Sequence, residues 1–241
     1  MIKISRSGVE QYIKCKRCFV LIYKHKIRYP SLPFTLNSAV DNLCKNEFDF
    51  YRSKKEPHPL FLKHGIDAVP LDHPNMDRWR NNFQGISFTN TKENYHFYGA
   101  IDDAWETPDK KIIVSDVKAT SKKEFNWEDT WAKWDYPKAY KRQLEMYQWL
   151  FRKNNFQVTS QAYLVYFNGL KNEPMFNQTL KFDLHLVKLE CDYSWVADKI
   201  SEAVNLLRDD IMPSGSFSCE TCQYLKKRWE KNKQLNSKSK L

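Results

Sequence analysis

The chain has 241 residues and carries 39 Lys and Arg against 29 Asp and Glu, for a formal net charge of +10. Its hydrophobic fraction of 41% and aromatic fraction of 15% supply a packed core, and its length suits one large domain. The longest apolar run near the N-terminus, residues 19–23, is too short for a secretory signal or a membrane span. The charge indicates an acidic partner, of which nucleic acid is the commonest.

The N-terminal third is predicted to be mainly helical. Residues 7–10, Ser-Gly-Val-Glu, resemble a capping box and predict a first helix that continues to about Tyr23. A Pro-containing loop follows, and a second helix is predicted over residues 38–52. Residues 54–88 are rich in Pro, Asp, His and Asn, which predicts loops with one short helix over residues 76–83.

The centre of the chain predicts a β-hairpin. Residues 95–101 are aromatic and β-prone, and residues 111–117 are rich in β-branched side chains. Between them, residues 107–110 (Thr-Pro-Asp-Lys) are typical of a turn. Such a hairpin brings the carboxylate of Asp102 close to that of Asp116.

The hairpin residues have the chemistry of a metal centre. Because side chains alternate faces along a strand, Asp116 and Lys118 point the same way while Val117 points into the core. Two neighbouring carboxylates are costly to bury unless a cation such as Mg²⁺ neutralises them, and a lysine can position a water or stabilise an oxyanion. The alternative is an ordinary surface hairpin with a salt bridge.

A helix is predicted after the hairpin. Residues 140–150 are amphipathic, with Gln143 and Tyr147 one turn apart on one face. The linking residues 119–136 contain three tryptophans, which either stack on unpaired bases or pack the loop onto the core. These are Trp127, Trp131 and Trp134.

The rest of the chain predicts two further strands, a helix and a tail. The strands are predicted over residues 161–167 and 179–187, and the helix over residues 194–210. Residues 231–241 are rich in Lys, Asn and Ser and predict a disordered basic tail. Basic residues also dominate residues 1–28, so the two ends could form one DNA-facing patch.

Three motifs occur in order along the chain: G-x-x-D at residues 99–102, D-x-K at residues 116–118 and Q-x-x-x-Y at residues 143–147. Their order and spacing resemble the RecB-type branch of the PD-(D/E)XK nuclease superfamily. The resemblance implies that Asp102 and Asp116 bind a divalent metal ion, Mg²⁺ or Mn²⁺.

The same resemblance implies roles for the other motif residues. Lys118 is expected to be catalytic, and Val117 is expected to offer its backbone carbonyl to the metal. Gln143 and Tyr147 are expected to support the site or to contact DNA.

The family usually adds a metal-binding histidine on an early helix, and this chain departs from that pattern. The corresponding stretch is residues 36–43, with Asp41 where the histidine is expected. A carboxylate can bind Mg²⁺ at least as well as an imidazole, because hard cations prefer oxygen. Asp41 is therefore either a further metal ligand or a solvated helix residue.

Two C-x-x-C pairs lie near the two ends of the chain, Cys15 with Cys18 and Cys219 with Cys222. Four thiolates suit either a zinc ion or an iron–sulfur centre. RecB-type nucleases often hold a [4Fe–4S] cluster with one early and three late cysteines, whereas the division here is two and two. The resemblance favours a [4Fe–4S] cluster in which Cys18 replaces the missing late cysteine. Structural Zn²⁺ and four unligated thiols remain the alternatives.

Cys44 and Cys191 are isolated in apolar neighbourhoods, which is typical of buried core residues. Unpaired thiols and the absence of a targeting or membrane segment predict a cytoplasmic protein.

Together these features predict one α/β domain over residues 1–230. Its expected core is restriction-endonuclease-like, with a central mixed β-sheet flanked by helices and terminal segments joined by the cysteine site. Residues 1–53 are the helical N-terminal part, residues 90–187 the catalytic core, and residues 192–225 the last helix with the second cysteine pair.

The predicted function is metal-dependent hydrolysis of DNA phosphodiester bonds, as an exonuclease on single strands or duplex ends in repair, recombination or defence. One alternative is a DNA-binding module of the same fold without catalysis. Another is an endonuclease specific for a nucleic-acid structure or for RNA. Nucleic acid is the predicted partner and no membrane partner is expected; the sequence does not identify protein partners.

Overall fold

The computed structural model describes residues 1–30 and 35–238, with side chains up to residue 236. In this part of the chain the helices are α1 (Arg6–Lys14), α2 (Lys16–Tyr23), α3 (Thr35–Lys54), α4 (Pro59–Lys63), α5 (Met76–Arg80), α6 (Trp127–Lys133), α7 (Tyr136–Lys153), α8 (Val196–Arg208) and α9 (Glu220–Lys238). The strands are β1 (Ile2–Ser5), β2 (Val69–Pro70), β3 (Ile86–Asn90), β4 (Tyr95–Gly99), β5 (Asp103–Glu106), β6 (Ile112–Thr120), β7 (Val158–Gly169) and β8 (Phe182–Glu190).

The strands form two mixed sheets. The smaller has the order β1-β4-β3, with β1 parallel to β4 and β3 antiparallel to it. The larger has the order β2-β5-β6-β7-β8, in which only β6 and β7 are parallel among the described pairs. The chain between these parallel strands contains α6 and α7, as a parallel connection requires. The predicted α/β class, with mixed sheets and flanking helices, is confirmed.

Helix α7 positions the two sheets relative to each other. It contacts β3 and β4 of the smaller sheet and β6 and β7 of the larger one. Its apolar face, which includes Leu144, Leu150 and Phe151, is fully buried in the main core. Burial of such side chains contributes roughly 1.5–3 kcal/mol each, so this packing fixes α7 against β6.

The central hairpin differs from the prediction in one respect. Its turn is where the sequence placed it, with Lys110 donating its N–H to the carbonyl of Thr107. However, β6 pairs with β5 and not with β4, which belongs to the smaller sheet. Residues 100–102 cross from one sheet to the other. The expected direct pairing of residues 95–101 with residues 111–117 is therefore wrong, because residues 103–106 form a separate strand that takes the position beside β6.

The first helix also differs from the prediction. Its N-cap is Ser5, whose Oγ accepts a hydrogen bond from the N–H of Gly8. Glu10 does not close a capping box, because its carboxylate receives two hydrogen bonds from Arg142 on α7, at 2.6 and 2.9 Å. The helix then breaks at Cys15, whose backbone is extended, and α2 begins at the next residue.

The last helix, which was not predicted from the sequence, extends into the segment that was predicted to be disordered. α9 reaches Lys238, although the sequence predicted disorder from residue 231. Lys, Gln, Glu and Leu are good helix formers, which favours this continuation. Residues 239–241 of the predicted tail, and residues 31–34 of the predicted Pro-containing loop, lie outside the described residues. Within the described ranges, no helix is both long and apolar enough to cross a membrane.

Candidate active site

The residue Asp102 lies where the chain crosses between the sheets. Its Oδ2 accepts a hydrogen bond from the backbone N–H of Val117 at 2.8 Å, so its carboxylate is held against β6. The guanidinium of Arg80 donates to the Asp102 carbonyl at 3.0 Å and fixes the backbone there. The G-x-x-D and D-x-K motifs therefore meet, although the strands that carry them belong to different sheets.

The carboxylate of Asp116 is the centre of the site. Asp116 is 1% exposed on β6, and its Oδ1 accepts a hydrogen bond from Gln143 Nε2 at 2.7 Å. Its Oδ2 accepts from Lys118 Nζ, which lies on the same face two residues along the strand. The ammonium of Lys118 is also 3.5 Å from Gln143 Oε1. The Asp116 carboxylate is thus held by the lysine of its own motif and by the glutamine of the helical motif.

The i,i+4 spacing of the two residues in the helical motif brings their side chains into contact. Gln143 Nε2 donates to the hydroxyl of Tyr147 at 3.0 Å as well as to Asp116. Both side chains are buried in α7. The contact with Asp116 is consistent with the expected supporting role of this motif.

The glycine of the first motif allows the helix to approach. A Cβ atom at Gly99 would lie 2.8 Å from Cε1 of Tyr147 and 3.2 Å from Cβ of Arg6. These distances are too short for ordinary contacts, so any larger residue displaces Tyr147 or Arg6. The motif requires glycine for packing and not for an unusual backbone conformation.

Replacing Gly99 by alanine is expected to destabilise the protein by about 1–3 kcal/mol, the usual cost of overpacking a core. It should also lower the DNA cleavage expected from the sequence motifs, because Tyr147 supports Gln143. Urea unfolding and a single-turnover cleavage assay measure the two effects. Gly169→Ala is the matched control, since a Cβ there would meet only ordinary contacts, the shortest 3.5 Å. Equal stability of the two variants would contradict the close approach.

The charges of the site are set by burial and by mutual attraction. Burial raises the pKa of Asp116 to about 7, with Asp102 adding to the effect and Lys118 opposing it. Burial alone would lower the pKa of Lys118, but Asp116 and Asp102 outweigh it and raise that pKa. The ammonium therefore stays protonated at neutral pH, and its Nζ lies 4.5 Å from the centre of the Tyr140 ring.

Asp41 is linked to Asp102 by a lysine that contacts both carboxylates. Lys45 Nζ is 2.7 Å from Oδ2 of Asp41, one turn earlier on α3, and 3.3 Å from Oδ1 of Asp102. Oδ1 of Asp41 is buried and has no hydrogen-bond partner among the described residues. The ammonium of Lys45 thus bridges Asp41 and Asp102, and Oδ1 of Asp41 can accept a further ligand or hydrogen bond.

The oxygen atoms of this site are suitable ligands for a hard divalent cation. Carboxylate and carbonyl oxygens are the ligands that Mg²⁺ and Mn²⁺ prefer, and the chain offers them at Asp41, Asp102, Asp116 and Val117. The unsatisfied oxygen of Asp41 and the ammonium between two carboxylates indicate a site built for positive charge. These residues could hold the metal ion that the sequence predicted.

Two basic residues near the site were missed by sequence reasoning. Burial would lower the pKa of Arg6, but Tyr147 and Asp116 raise it, so its guanidinium adds a fixed positive charge. Arg6 precedes all of the motifs and gives no sequence signal. Lys45 was also missed, although its i,i+4 spacing from Asp41 was a usable signal.

The four cysteines of the two C-x-x-C pairs form one cluster. Sγ of Cys222 is 3.6 Å from that of Cys15 and 3.5 Å from that of Cys18, and Cys18 is 3.6 Å from Cys219. All four sulfurs lie within 4.8 Å of one another. The predicted joining of the two terminal segments by a cysteine cluster is confirmed.

A comparison with protein families gives a match to the model of the PD-(D/E)XK nuclease superfamily over residues 53–226. The chain belongs to this superfamily. The matched range contains all three sequence motifs and the second cysteine pair, whereas Arg6, Asp41 and Lys45 precede it. A comparison with curated proteins gives no significant match.

Several solved structures are similar to this PD-(D/E)XK chain at low identity. A protein from Eubacterium rectale provisionally named an exonuclease has 12% identity and a TM-score of 0.47, covering 92% of this chain and 87% of its own. An alkaline exonuclease from Laribacter hongkongensis has 10% identity and a TM-score of 0.39, covering 95% and 94%. The protein SSO0001 has 14% identity and a TM-score of 0.38, covering 88% and 79%.

Two of the three tryptophans before α7 pack onto the core, and stacking on bases stays a prediction for the third. Trp127 and Trp131 are partly buried and pack against the main core of the PD-(D/E)XK fold. Trp134 is 58% exposed and available for contacts with a ligand. The isolated Cys44 is buried as expected, and Cys191 is half-buried.

Proposed function

We propose that this protein is a metal-dependent nuclease that hydrolyses phosphodiester bonds of DNA, as an exonuclease on single strands or duplex ends. The observation that carries the proposal is the arrangement around Asp116, which Lys118 and Gln143 both contact while Asp102 is held beside the same strand. Membership of the PD-(D/E)XK superfamily supports a nuclease. The preference for DNA ends comes from the resemblance of the motifs to the RecB-type branch.

The metal ion would be Mg²⁺ or Mn²⁺, held by Asp102, Asp116 and the carbonyl of Val117, with Asp41 as a further ligand. Such an ion polarises a phosphate oxygen and lowers the pKa of a water molecule. Lys45 lies between Asp41 and Asp102, so it would share these two carboxylates with a bound ion.

The remaining residues position groups and stabilise charge. The ammonium of Lys118 can donate hydrogen bonds to the attacking water or to the phosphate oxygens, where negative charge develops. Gln143 orients the carboxylate of Asp116, and Tyr147 orients Gln143. Arg6, which is half-buried beside Tyr147, adds positive potential at the far end of these contacts.

The biological setting is proposed from the same features. DNA repair, recombination or defence are the expected roles, and nucleic acid is the expected partner of a chain with a net charge of +10. All six cysteines are unpaired, which supports a cytoplasmic location.

Linear and circular single-stranded DNA of the same sequence test the proposed reaction. With Mn²⁺, the protein is expected to degrade the linear form and leave the circle intact, and EDTA should stop the reaction. Cleavage of the circle would instead establish an endonuclease. Binding of the linear strand without cleavage, at every metal concentration, would establish a non-catalytic DNA-binding module.

The raised pKa of Asp116 predicts how stability depends on pH in EDTA. Between the ordinary pKa of an aspartate, 3.8, and about 7, the folded state keeps a proton that the unfolded state has released. The free energy of unfolding therefore falls as pH rises through this range, by up to about 1.4 kcal/mol per pH unit from this group. Asp116→Asn stays neutral and should lose less stability over the same range. Urea unfolding across the range compares the two proteins, and identical pH profiles would contradict the shift.

A further inference from the structure

The spacing of the four cysteine sulfurs tests which metal group they can hold. Around a single zinc ion, four Zn–S bonds of about 2.3 Å in a tetrahedron place the sulfurs about 3.8 Å apart. Three of the six pairs here are 3.5, 3.6 and 3.6 Å apart, and every pair lies within 4.8 Å. These separations match the corners of a tetrahedron of the size that four thiolates form around one ion.

A [4Fe–4S] cluster does not fit this arrangement. In such a cluster each cysteine binds a different iron, and the four Fe–S bonds point outward from the corners of a cube. The cysteine sulfurs must then be separated by the cluster as well as by the bonds. Sulfurs that lie 3.5–3.6 Å apart leave no room for four irons and four sulfides between them. The cluster favoured by the sequence is therefore not supported by the geometry.

The composition of the site favours zinc among single ions. Four thiolates in a tetrahedron are typical of zinc, and N/S sites bind zinc more tightly than ferrous iron. Two C-x-x-C pairs also match the ligand spacing of structural zinc sites. Four thiolates fill all four positions of a tetrahedron, and Cys15, Cys18 and Cys219 are buried while Cys222 is half-buried, as expected of a structural site and not of a catalytic one.

The backbone around the cysteines is shaped for this closed site. The extended conformation of Cys15 interrupts the first helical segment and lets both cysteines of that pair face α9. On the opposite side, a Cβ atom at Gly215 would lie 2.9 Å from Sγ of Cys222, so the loop passes directly over that sulfur. An ion bound by the four thiolates would explain both the break in the helix at Cys15 and the close approach of the loop at Gly215.

We infer that Cys15, Cys18, Cys219 and Cys222 hold one structural zinc ion, which joins the α1–α2 junction to the start of α9. The ion closes a loop that contains almost the whole chain. Because a preformed site of this kind is absent from the unfolded state, its binding free energy stabilises the fold.

The metal content of the purified protein tests this inference. The full chain is produced in medium that contains both iron and zinc, purified without oxygen, and analysed for metals and for acid-labile sulfide. One zinc per chain in a colourless protein without sulfide is expected. Iron with an equal amount of sulfide, iron without sulfide, or a protein that binds neither metal would each overturn the inference.

Cobalt and cysteine variants make the test specific to these four residues. Co²⁺ added to chelator-treated protein should give the intense visible absorption of a tetrahedral thiolate site, and Zn²⁺ should remove it. Cys222→Ser is expected to lose the zinc, whereas the control Cys191→Ser should keep one zinc per chain. If Cys222→Ser does not fold, the cobalt spectrum of the wild type still decides the ligand set, because an octahedral spectrum would contradict four thiolates. Asp116→Asn should also keep its zinc, which separates this site from the proposed nuclease centre.

Discussion

Replacing Lys118 by alanine is expected to reduce the rate of DNA cleavage in Mn²⁺ by about 10²–10³-fold, the effect of removing one preorganised donor from a developing oxyanion. Lys118 is the cation in direct contact with Asp116, and its raised pKa keeps it protonated at neutral pH. The assay is single-turnover hydrolysis of labelled single-stranded DNA, because it reports the chemical step and not product release. Equal rates for wild type and variant would remove Lys118 from the mechanism.

Two further variants separate catalysis from metal binding and from folding. Asp116→Asn should lose both Mn²⁺ binding and cleavage, whereas Lys118→Ala should keep Mn²⁺ binding and lose cleavage. Lys111→Ala is the matched control, since Lys111 lies just before the same strand and its side chain is 46% exposed. It should cleave at the wild-type rate. A comparable loss in Lys111→Ala would point to weaker DNA binding by a less positive surface.

The D-x-K and Q-x-x-x-Y motifs could be predicted because each depends on a short-range periodicity. The period of two in a strand places Asp116 and Lys118 on one face, and the i,i+4 spacing in a helix joins Gln143 to Tyr147. Both relations hold in the structure. The order of the motifs then indicated that they meet, which no local pattern could show alone.

Other features depended on contacts between distant parts of the chain. Glu10 has the spacing of a capping box from Ser7, but it pairs with Arg142, 132 residues away. The change of sheet at residues 100–102 was not predicted, because β4 and β6 both have the strand character expected of the two strands of one hairpin. Arg6 reaches Tyr147 only through the packing of α1 on α7.

For the cysteine site too, the spacing of residues along the chain predicted one part and the distances in the folded structure were needed for the other. The two C-x-x-C pairs were enough to predict a four-thiolate cluster, because the spacing brings each pair to one centre. The identity of the metal depends on distances between the pairs, which come from residues about 200 positions apart. Only the folded structure contains that information.

The ion-pair network behind Asp102 leads to the largest expected loss of stability. Asp103 is 1% exposed, and its carboxylate accepts hydrogen bonds from Arg52 at 2.8 and 3.0 Å and from Arg80 at 2.9 Å. Asp49 binds both arginines from the other side. The network connects α3, α5 and β5, and Arg80 also holds the carbonyl of Asp102.

Asp103→Ala is expected to lower the free energy of unfolding by about 3–5 kcal/mol, the cost of leaving a buried charge without its partner. Urea unfolding followed by circular dichroism measures the loss. The control Asp67→Ala removes an exposed carboxylate and should change stability by less than about 0.5 kcal/mol. A loss in Asp103→Ala as small as in Asp67→Ala would mean that solvent compensates the two arginines.

A double-mutant cycle measures how much of the stability comes from the Arg52–Asp103 pair alone and how much from the rest of the network. If Arg52 and Asp103 stabilise the fold mainly through each other, Arg52→Leu combined with Asp103→Leu should cost less than the sum of the single changes, because neither charge is left unpaired. Arg80 would still hold the Asp102 carbonyl in the double variant, so cleavage by the folded protein should persist. Loss of cleavage in a stably folded double variant would instead show that the network is needed to place Asp102 at the site.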